Sequence, residues 1–225
     1  MTSAKKIHIN QKMWFIGFRI GYTSDDHALS SFDRASVDIE RTLIDAAYEA
    51  RSDFRILSVL MSWIKVHGEY VIVEKFFKFA KHEQDKRGHN PVINGIAVWG
   101  TLCKQTKWAR YVSRSPEDEY LVDPELTDLS AEFRGYKQDW LRLGVKVPLK
   151  MIRIREDDVF SPKELVQGNL QFRNRLIIGS AWRSDIVTAI EYGLENPTVI
   201  SKTLGCSYEP ALRIFKEYRL AKASN

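Results

Sequence analysis

This 225-residue sequence has little cysteine, and it lacks long apolar runs and a strong excess of one charge. Its two cysteines, Cys103 and Cys206, cannot form a disulfide framework or a zinc finger by themselves. No apolar run is long enough to cross a bilayer, and Met13 to Ile16 is soon interrupted by Arg19. The N-terminal residues also lack the apolar core and cleavage site of a secretory signal. We therefore expect a cytoplasmic protein with reduced thiols and no membrane contact.

The sequence also lacks the motifs of the common enzyme classes. It has no glycine-rich phosphate loop, no G-x-S-x-G elbow, no H-E-x-x-H and no paired C-x-x-C. His82 and His89 lie near Glu83 and Asp85, but a charged helix end entering a loop accounts for them better than a metal site does. Cys103 falls on the apolar side of a predicted helix, which favours a buried thiol over a nucleophile.

Four regularly spaced acids are the remaining candidates for chemistry. We interpret them as an exposed helix face and not as an acid–base pair; they are Glu40, Asp45, Glu49 and Asp53. The sequence therefore predicts no enzymatic activity, no cofactor and no bound metal.

The composition is that of a folded globular protein with a mildly basic charge. Apolar residues make up 44% and charged residues 28% of the chain, which excludes a wholly disordered protein. The net charge is +5. This charge is compatible with an acidic partner such as nucleic acid but does not require one.

The first half of the chain is dominated by helical periodicity after one short strand signal. Alternation of apolar residues predicts a strand from Trp14 to Tyr22. Ser36 is expected to cap the first of several amphipathic helices, whose apolar residues recur at spacings of three and four. These short-looped helices indicate an antiparallel helical array.

Asp123 to Gly144 carries the longest amphipathic pattern of this half. Asp123 and Pro124 suit a helix start, and Gly144 suits its end. The apolar residues at spacings of three and four are Leu126, Leu129, Phe133, Tyr136, Trp140 and Leu143. A dimer helix and a core helix both fit this stripe. We favour the core helix, because a coiled coil needs more heptads than this segment has.

A boundary between two domains is predicted near the acidic turn Glu156-Asp157-Asp158. A short edge strand precedes the turn, from Val145 to Met151, since Pro148 cannot donate to a ladder. The chain is thus divided into a helical domain of residues 1–158, which senses, dimerises or binds a partner, and a second domain of residues 159–225.

The second domain is predicted to contain four helices with clear start and stop signals. The capping box at Ser161 begins a helix that runs from Pro162 towards Ile178, with Gly168 as a weak point. A second helix spans Ala181 to Tyr192. The third is short, from Pro197 to Leu204, and the last runs from the cap Ser207 to about Leu220.

The stretch from Pro197 to Lys216 resembles the helix-turn-helix of bacterial transcriptional regulators. Gly205 stands where the family needs a positive φ in its short turn. The family's buried positions are occupied by Ile200, Leu204, Cys206, Ala211 and Ile214. The sequence departs from the family at Ser201, where alanine is commonest, and at Pro210, early in the second helix.

The resemblance implies that the last helix enters the major groove of DNA. Arg213 would contact guanine and Glu209 cytosine, while Lys202 on the preceding helix would contact phosphate. Arg173 and Arg175 are further backbone candidates. The full set of predicted DNA-binding residues is Thr198, Ser201, Lys202, Ser207, Tyr208, Glu209, Arg213, Lys216 and Arg183.

The predicted fold is mainly α with minor β: an N-terminal helical domain followed by a C-terminal helix-turn-helix, with a winged-helix variant left open. The predicted function is sequence-specific binding of double-stranded DNA as a transcriptional regulator, with a homodimer expected. The alternative is an antitoxin-type or defence-associated adaptor whose N-terminal domain binds a protein partner.

Overall fold

Thirteen α-helices account for most of the part of the chain that the structure, a computed structural model, describes: residues 7–19, 31–113 and 117–223. The first six helices are α1 (Ile9–Phe15), α2 (Ser31–Ser36), α3 (Ile39–Glu49), α4 (Phe54–His67), α5 (Val73–Arg87) and α6 (Pro91–Leu102). The middle of the chain contains α7 (Pro124–Arg134), α8 (Gln138–Leu141), α9 (Pro162–Gly168) and α10 (Leu170–Ile178). The last three are α11 (Trp182–Glu191), α12 (Pro197–Leu204) and α13 (Tyr208–Ala223). The expectation of a mainly helical fold with minor β structure is confirmed.

The β structure is confined, within the described ranges, to one small sheet and two isolated bridges. Strands β1 (Glu119–Tyr120) and β2 (Val145–Lys146) pair in parallel, with Glu119 opposite Val145. The predicted edge strand therefore forms only at its start. Pro148 follows in a single bridge to Tyr136, which fits a residue that cannot donate to a ladder.

The larger of two hydrophobic cores is formed mainly by helices α1 and α3–α6, together with residues from the middle of the chain up to Phe172 of α10. Its largest side chains are Trp63, Trp108 and Trp140, which are fully buried. Two of the helices that build it begin at side-chain caps: Asp53 accepts from the Arg55 and Ile56 amides at the start of α4, and Asn90 accepts from the Val92 amide at the start of α6.

Two boundaries near the N-terminus differ from the sequence prediction. Trp14 lies in helix α1 and not in a strand, because a capping box at His8 starts the helix and Met13 and Ile16 are both buried on its inner side. Tyr22, the other end of the predicted strand, lies outside the described residues. Ser36 ends α2 and does not cap the next helix; Asp38 caps α3 instead.

The long helix predicted from Asp123 to Gly144 is interrupted. Gly135, with a φ of 76°, ends α7, and the chain turns before α8. The core-helix interpretation is correct for Trp140, which is fully buried, but wrong for the α7 part of the stripe. Leu126, Leu129 and Phe133 are 54%, 53% and 81% exposed.

The helix predicted from Pro162 to Ile178 is also two helices. Asn169 follows Gly168 and caps α10 by accepting from the Phe172 amide. Leu165 and Phe172 are buried as expected, whereas Leu176 is 46% exposed and not inward. Both buried residues belong to the larger core, and the smaller core begins only at α11. The division at residue 158 stays a prediction.

Candidate nucleic-acid interface

Helices α11, α12 and α13 pack around a small core of their own. Its buried members are Ile186, Ala189, Ile200, Ala211, Ile214 and Phe215. Leu204 and Cys206, predicted to be buried, lie half-buried at its edge. The bounds of α12 match the prediction, and α13 begins after Ser207 as expected.

The turn between α12 and α13 is built on Gly205. Its φ of 70° and ψ of 23° are left-handed, and a side chain there would be strained. A β-carbon on Gly205 would also lie 2.9 Å from the Phe79 ring of α5. The Lys78 ammonium donates to the Gly205 carbonyl at 2.6 Å. The turn is therefore held against α5 as well as within the three helices.

Most of the predicted DNA-binding residues are exposed on α12 and α13. Those with exposed side chains are Thr198, Lys202, Ser207, Tyr208, Glu209, Arg213, Lys216 and Arg183. Ser201 differs: it is buried, and its hydroxyl donates to the Thr198 carbonyl at 3.0 Å. Ser201 thus belongs to the helix crossing and not to a phosphate-contacting surface.

Ion pairs constrain some of these cations and leave others available. Arg183 on α11 contacts Glu217 on α13 at 2.7 Å, and Arg213 lies 4.0 Å from the same carboxylate. Lys202 and Lys216 form no ion pair with any residue in the described ranges. Exposed pairs of this kind contribute little stability, so Arg213 can leave Glu217 for another acceptor.

A cleft of about 530 Å³ separates the start of α12 from the exposed side of α13. Thr198 of α12 lines the cleft, as do Tyr208, Lys216 and Arg219 of α13. Asn196 already caps α12 by accepting from the Thr198 and Val199 amides. The cations of α13 are therefore the main source of positive charge in the cleft.

The sequence predictions missed a cluster of five charged residues beside this unit, of which all but Asp38 are buried. Glu40, expected on an exposed face, is fully buried, and so is Arg175, a suggested DNA-backbone contact. Both predictions were wrong because Arg175 forms bidentate ion pairs inside the protein. Its hydrogen bonds to Glu40 are 2.6 and 2.8 Å long, and those to Asp185 are 2.9 Å each.

Lys75 lies between the carboxylates of the same cluster. Its ammonium is 3.0 Å from Glu40 and also contacts Asp38 and Asp185. Burial alone would lower the pKa of Lys75, but Asp185, Asp38 and Glu40 together raise it. Burial likewise opposes ionisation of Asp38, yet Lys75 and Arg175 lower its pKa to about 2. Lys75, Asp38 and Arg175 are therefore charged at neutral pH.

The cluster joins three parts of the chain that are distant in sequence. Asp38 and Glu40 lie at the start of α3, Lys75 on α5, and Arg175 and Asp185 on α10 and α11. Asp38, Glu40 and Asp185 are the one carboxylate group within the described ranges whose spacing would suit a metal ion. Lys75 and Arg175 already neutralise most of its charge, which leaves one net negative charge.

No family model, curated protein or solved structure matches the chain significantly. None of the described helices is long and apolar enough to cross a membrane.

Proposed function

We propose that α11–α13 form a helix-turn-helix that binds double-stranded DNA, with α13 in the major groove. The observation that carries the proposal is the left-handed turn at Gly205, which joins a short helix to a longer helix with an exposed polar face. Tyr208, Arg213 and Lys216 lie on that face. A helix of this kind fits the major groove, where side chains reach base edges.

The distribution of charge supports the same proposal. Residues 160–225 contain nine lysines and arginines against six acids. Arg175 and Asp185 are buried together, so eight cations and five acids remain for the rest of this segment. Within the described ranges the three helices carry no strand, so we propose a plain helix-turn-helix without a wing. As in other regulators of this type, two copies would bind two half-sites.

Two single substitutions test the proposal by separating base contact from phosphate contact. Arg213→Ala is expected to reduce the binding free energy for the preferred duplex by about 1–3 kcal/mol and to relax the sequence preference at the contacted base. Lys202→Ala is expected to weaken binding to all duplexes similarly. It should also reduce the slope of log affinity against log salt concentration by about one unit. Fluorescence anisotropy on a selected and a scrambled duplex, over a salt series, measures both effects.

Lys163→Ala is the matched control, since Lys163 is an exposed cation on α9, outside the three helices. It should bind both duplexes like the parent protein. If the Arg213 and Lys202 variants also bind like the parent, the exposed face of α12 and α13 does not contact DNA. The antitoxin or adaptor hypothesis would then replace the regulator.

A further inference from the structure

Helix α7 exposes an apolar stripe at the edge of a positively charged groove. The stripe consists of Leu126, Leu129 and Phe133, and Phe133 is 81% exposed. Phe54 and Leu149 are exposed large apolar residues in the same region. Contiguous apolar surface of this kind marks an interaction site in a folded protein.

The groove lies between the start of α4, one side of α7 and residues 150–158. It encloses about 580 Å³, and Phe54, Val59 and Met151 contribute apolar surface to it. Five cations line it, against the single acid Asp158; they are Arg55, Arg134, Lys150, Arg153 and Arg155.

These cations have almost no partner in the described part of the chain. Arg55 reaches Asp53 only at 3.9 Å, and the other four form no ion pair there. The backbone that carries two of them is fixed, because the Arg153 amide donates to the Ser58 hydroxyl at 3.2 Å and the Arg155 amide to the Ser62 hydroxyl at 3.0 Å. The groove is thus a fixed surface with unbalanced positive charge.

A groove lined by both apolar and cationic side chains fits an amphipathic helix that carries acids beside its apolar stripe. This chain exposes such a helix in α7 itself. Glu125 and Glu132 are exposed on the edge of the stripe that faces away from the groove, while Ser130 and Arg134 lie on the groove side.

We infer that this surface binds a second copy of the chain, with the two α7 helices parallel, side by side, and each laid along the groove of the other. In a two-fold arrangement the same patch serves both copies. The groove-side edges of the two helices then face each other. Glu125 and Glu132 of each copy then point towards Arg153 and Arg155 of its partner, and the apolar stripes cover the two grooves.

A nucleic acid fits this surface less well. Protein–DNA interfaces are more polar than protein–protein interfaces, and a phosphate backbone gives no partner to Leu129 and Phe133. The exposed stripe of α7 is apolar, and the cations of the groove come from α4, α7 and residues 150–155. The inference does not depend on the proposed DNA binding, because the dimer is measured without DNA.

A charge-swap experiment tests the inference directly. The first variant combines Arg153→Glu with Arg155→Glu, and the second combines Glu125→Lys with Glu132→Lys. Each places like charges together at both symmetric contacts, so each alone should dimerise roughly 100-fold more weakly than the parent or worse. A mixture of the two restores opposite charges at both contacts and should form a heterodimer.

Sedimentation velocity at tens of micromolar protein gives the oligomeric state, and circular dichroism melting shows that each variant is folded. Lys81→Glu with Lys163→Glu is the control, because it reverses two exposed cations on α5 and α9, outside the patch, and should leave the dimer unchanged. A monomeric parent protein, or two variants that dimerise as well as the parent, would overturn the inference. So would a monomeric parent whose Arg153 and Arg155 variant loses only duplex binding, since the groove would then be a nucleic-acid site.

Discussion

His67 is a buried histidine whose charge state links stability to pH. It is fully buried between Trp63 and Phe172, and its Nε2 donates to the Phe160 carbonyl at 2.7 Å. Burial lowers its pKa to about 4, although the bond to Phe160 opposes the shift. The unfolded chain has the ordinary pKa near 6.5 and therefore binds this proton first as the pH falls.

The free energy of unfolding should accordingly fall by about 2 kcal/mol between pH 7 and pH 5 through this residue. The stability is complete above about pH 6.5 and is lost progressively down to about pH 4. Urea denaturation at several pH values measures the slope, and His67→Gln should flatten it because the amide does not titrate. An identical slope in both proteins would show that other groups set the acid sensitivity.

Arg175 is the residue whose loss should most unbalance the buried cluster. Arg175→Met leaves Asp38, Glu40 and Asp185 with Lys75 alone, and breaking a buried pair in this way costs about 3–5 kcal/mol. Adding Glu40→Gln removes one of the excess charges and should recover part of the loss. Denaturant unfolding of the two single variants and the double variant gives the interaction free energy between Arg175 and Glu40. Additive effects would mean that Arg175 acts through packing and not through Glu40.

At the scale of elements, the break at Gly135 divides one amphipathic pattern between two environments. Trp140 on α8 is fully buried and stacks on Trp99, with the ring centroids 5.8 Å apart, whereas Phe133 on α7 is largely exposed. The same periodicity thus describes a core residue and a surface residue. Spacing alone cannot distinguish them, because it reports one face of a helix and not what covers that face.

Substitutions at these two residues should therefore have opposite outcomes. Trp140→Ala should cost about 3–5 kcal/mol, since it removes a large side chain from the core. Phe133→Asp should change the stability of a monomer by no more than about 0.5 kcal/mol. Thermal melting followed by circular dichroism compares the two at low protein concentration, where dimerisation does not contribute. A large loss with Phe133→Asp would mean that α7 is covered within its own chain.

At the scale of the whole molecule, the sequence predicted those parts whose signals are local. Helix α12 was predicted with its exact bounds, because Asn196, Pro197 and Gly205 define its start and end. Helix α1 was missed, since its cap is a histidine and its residues also alternate as in a strand. The charged cluster could not be predicted, because Glu40, Lys75 and Arg175 are far apart in the sequence and each alone resembles a surface residue.

If α13 binds DNA as proposed, the buried cluster and the Lys78–Gly205 contact would also constrain the spacing of the two half-sites. They tie α10, α11 and the turn before α13 to α3 and α5. The two α13 helices of a dimer would therefore keep a fixed distance and a fixed relative orientation. We expect binding to depend on helical phase: adding about five base pairs between half-sites places them on opposite faces of the duplex and should abolish paired occupancy. Adding about ten base pairs should return both half-sites to the same face of the duplex but leave them farther apart than the two α13 helices can reach. Footprinting on duplexes with graded spacers should show protection of both half-sites at a single spacer length. Equal protection at every spacer would mean that α11–α13 move freely relative to the rest of each copy.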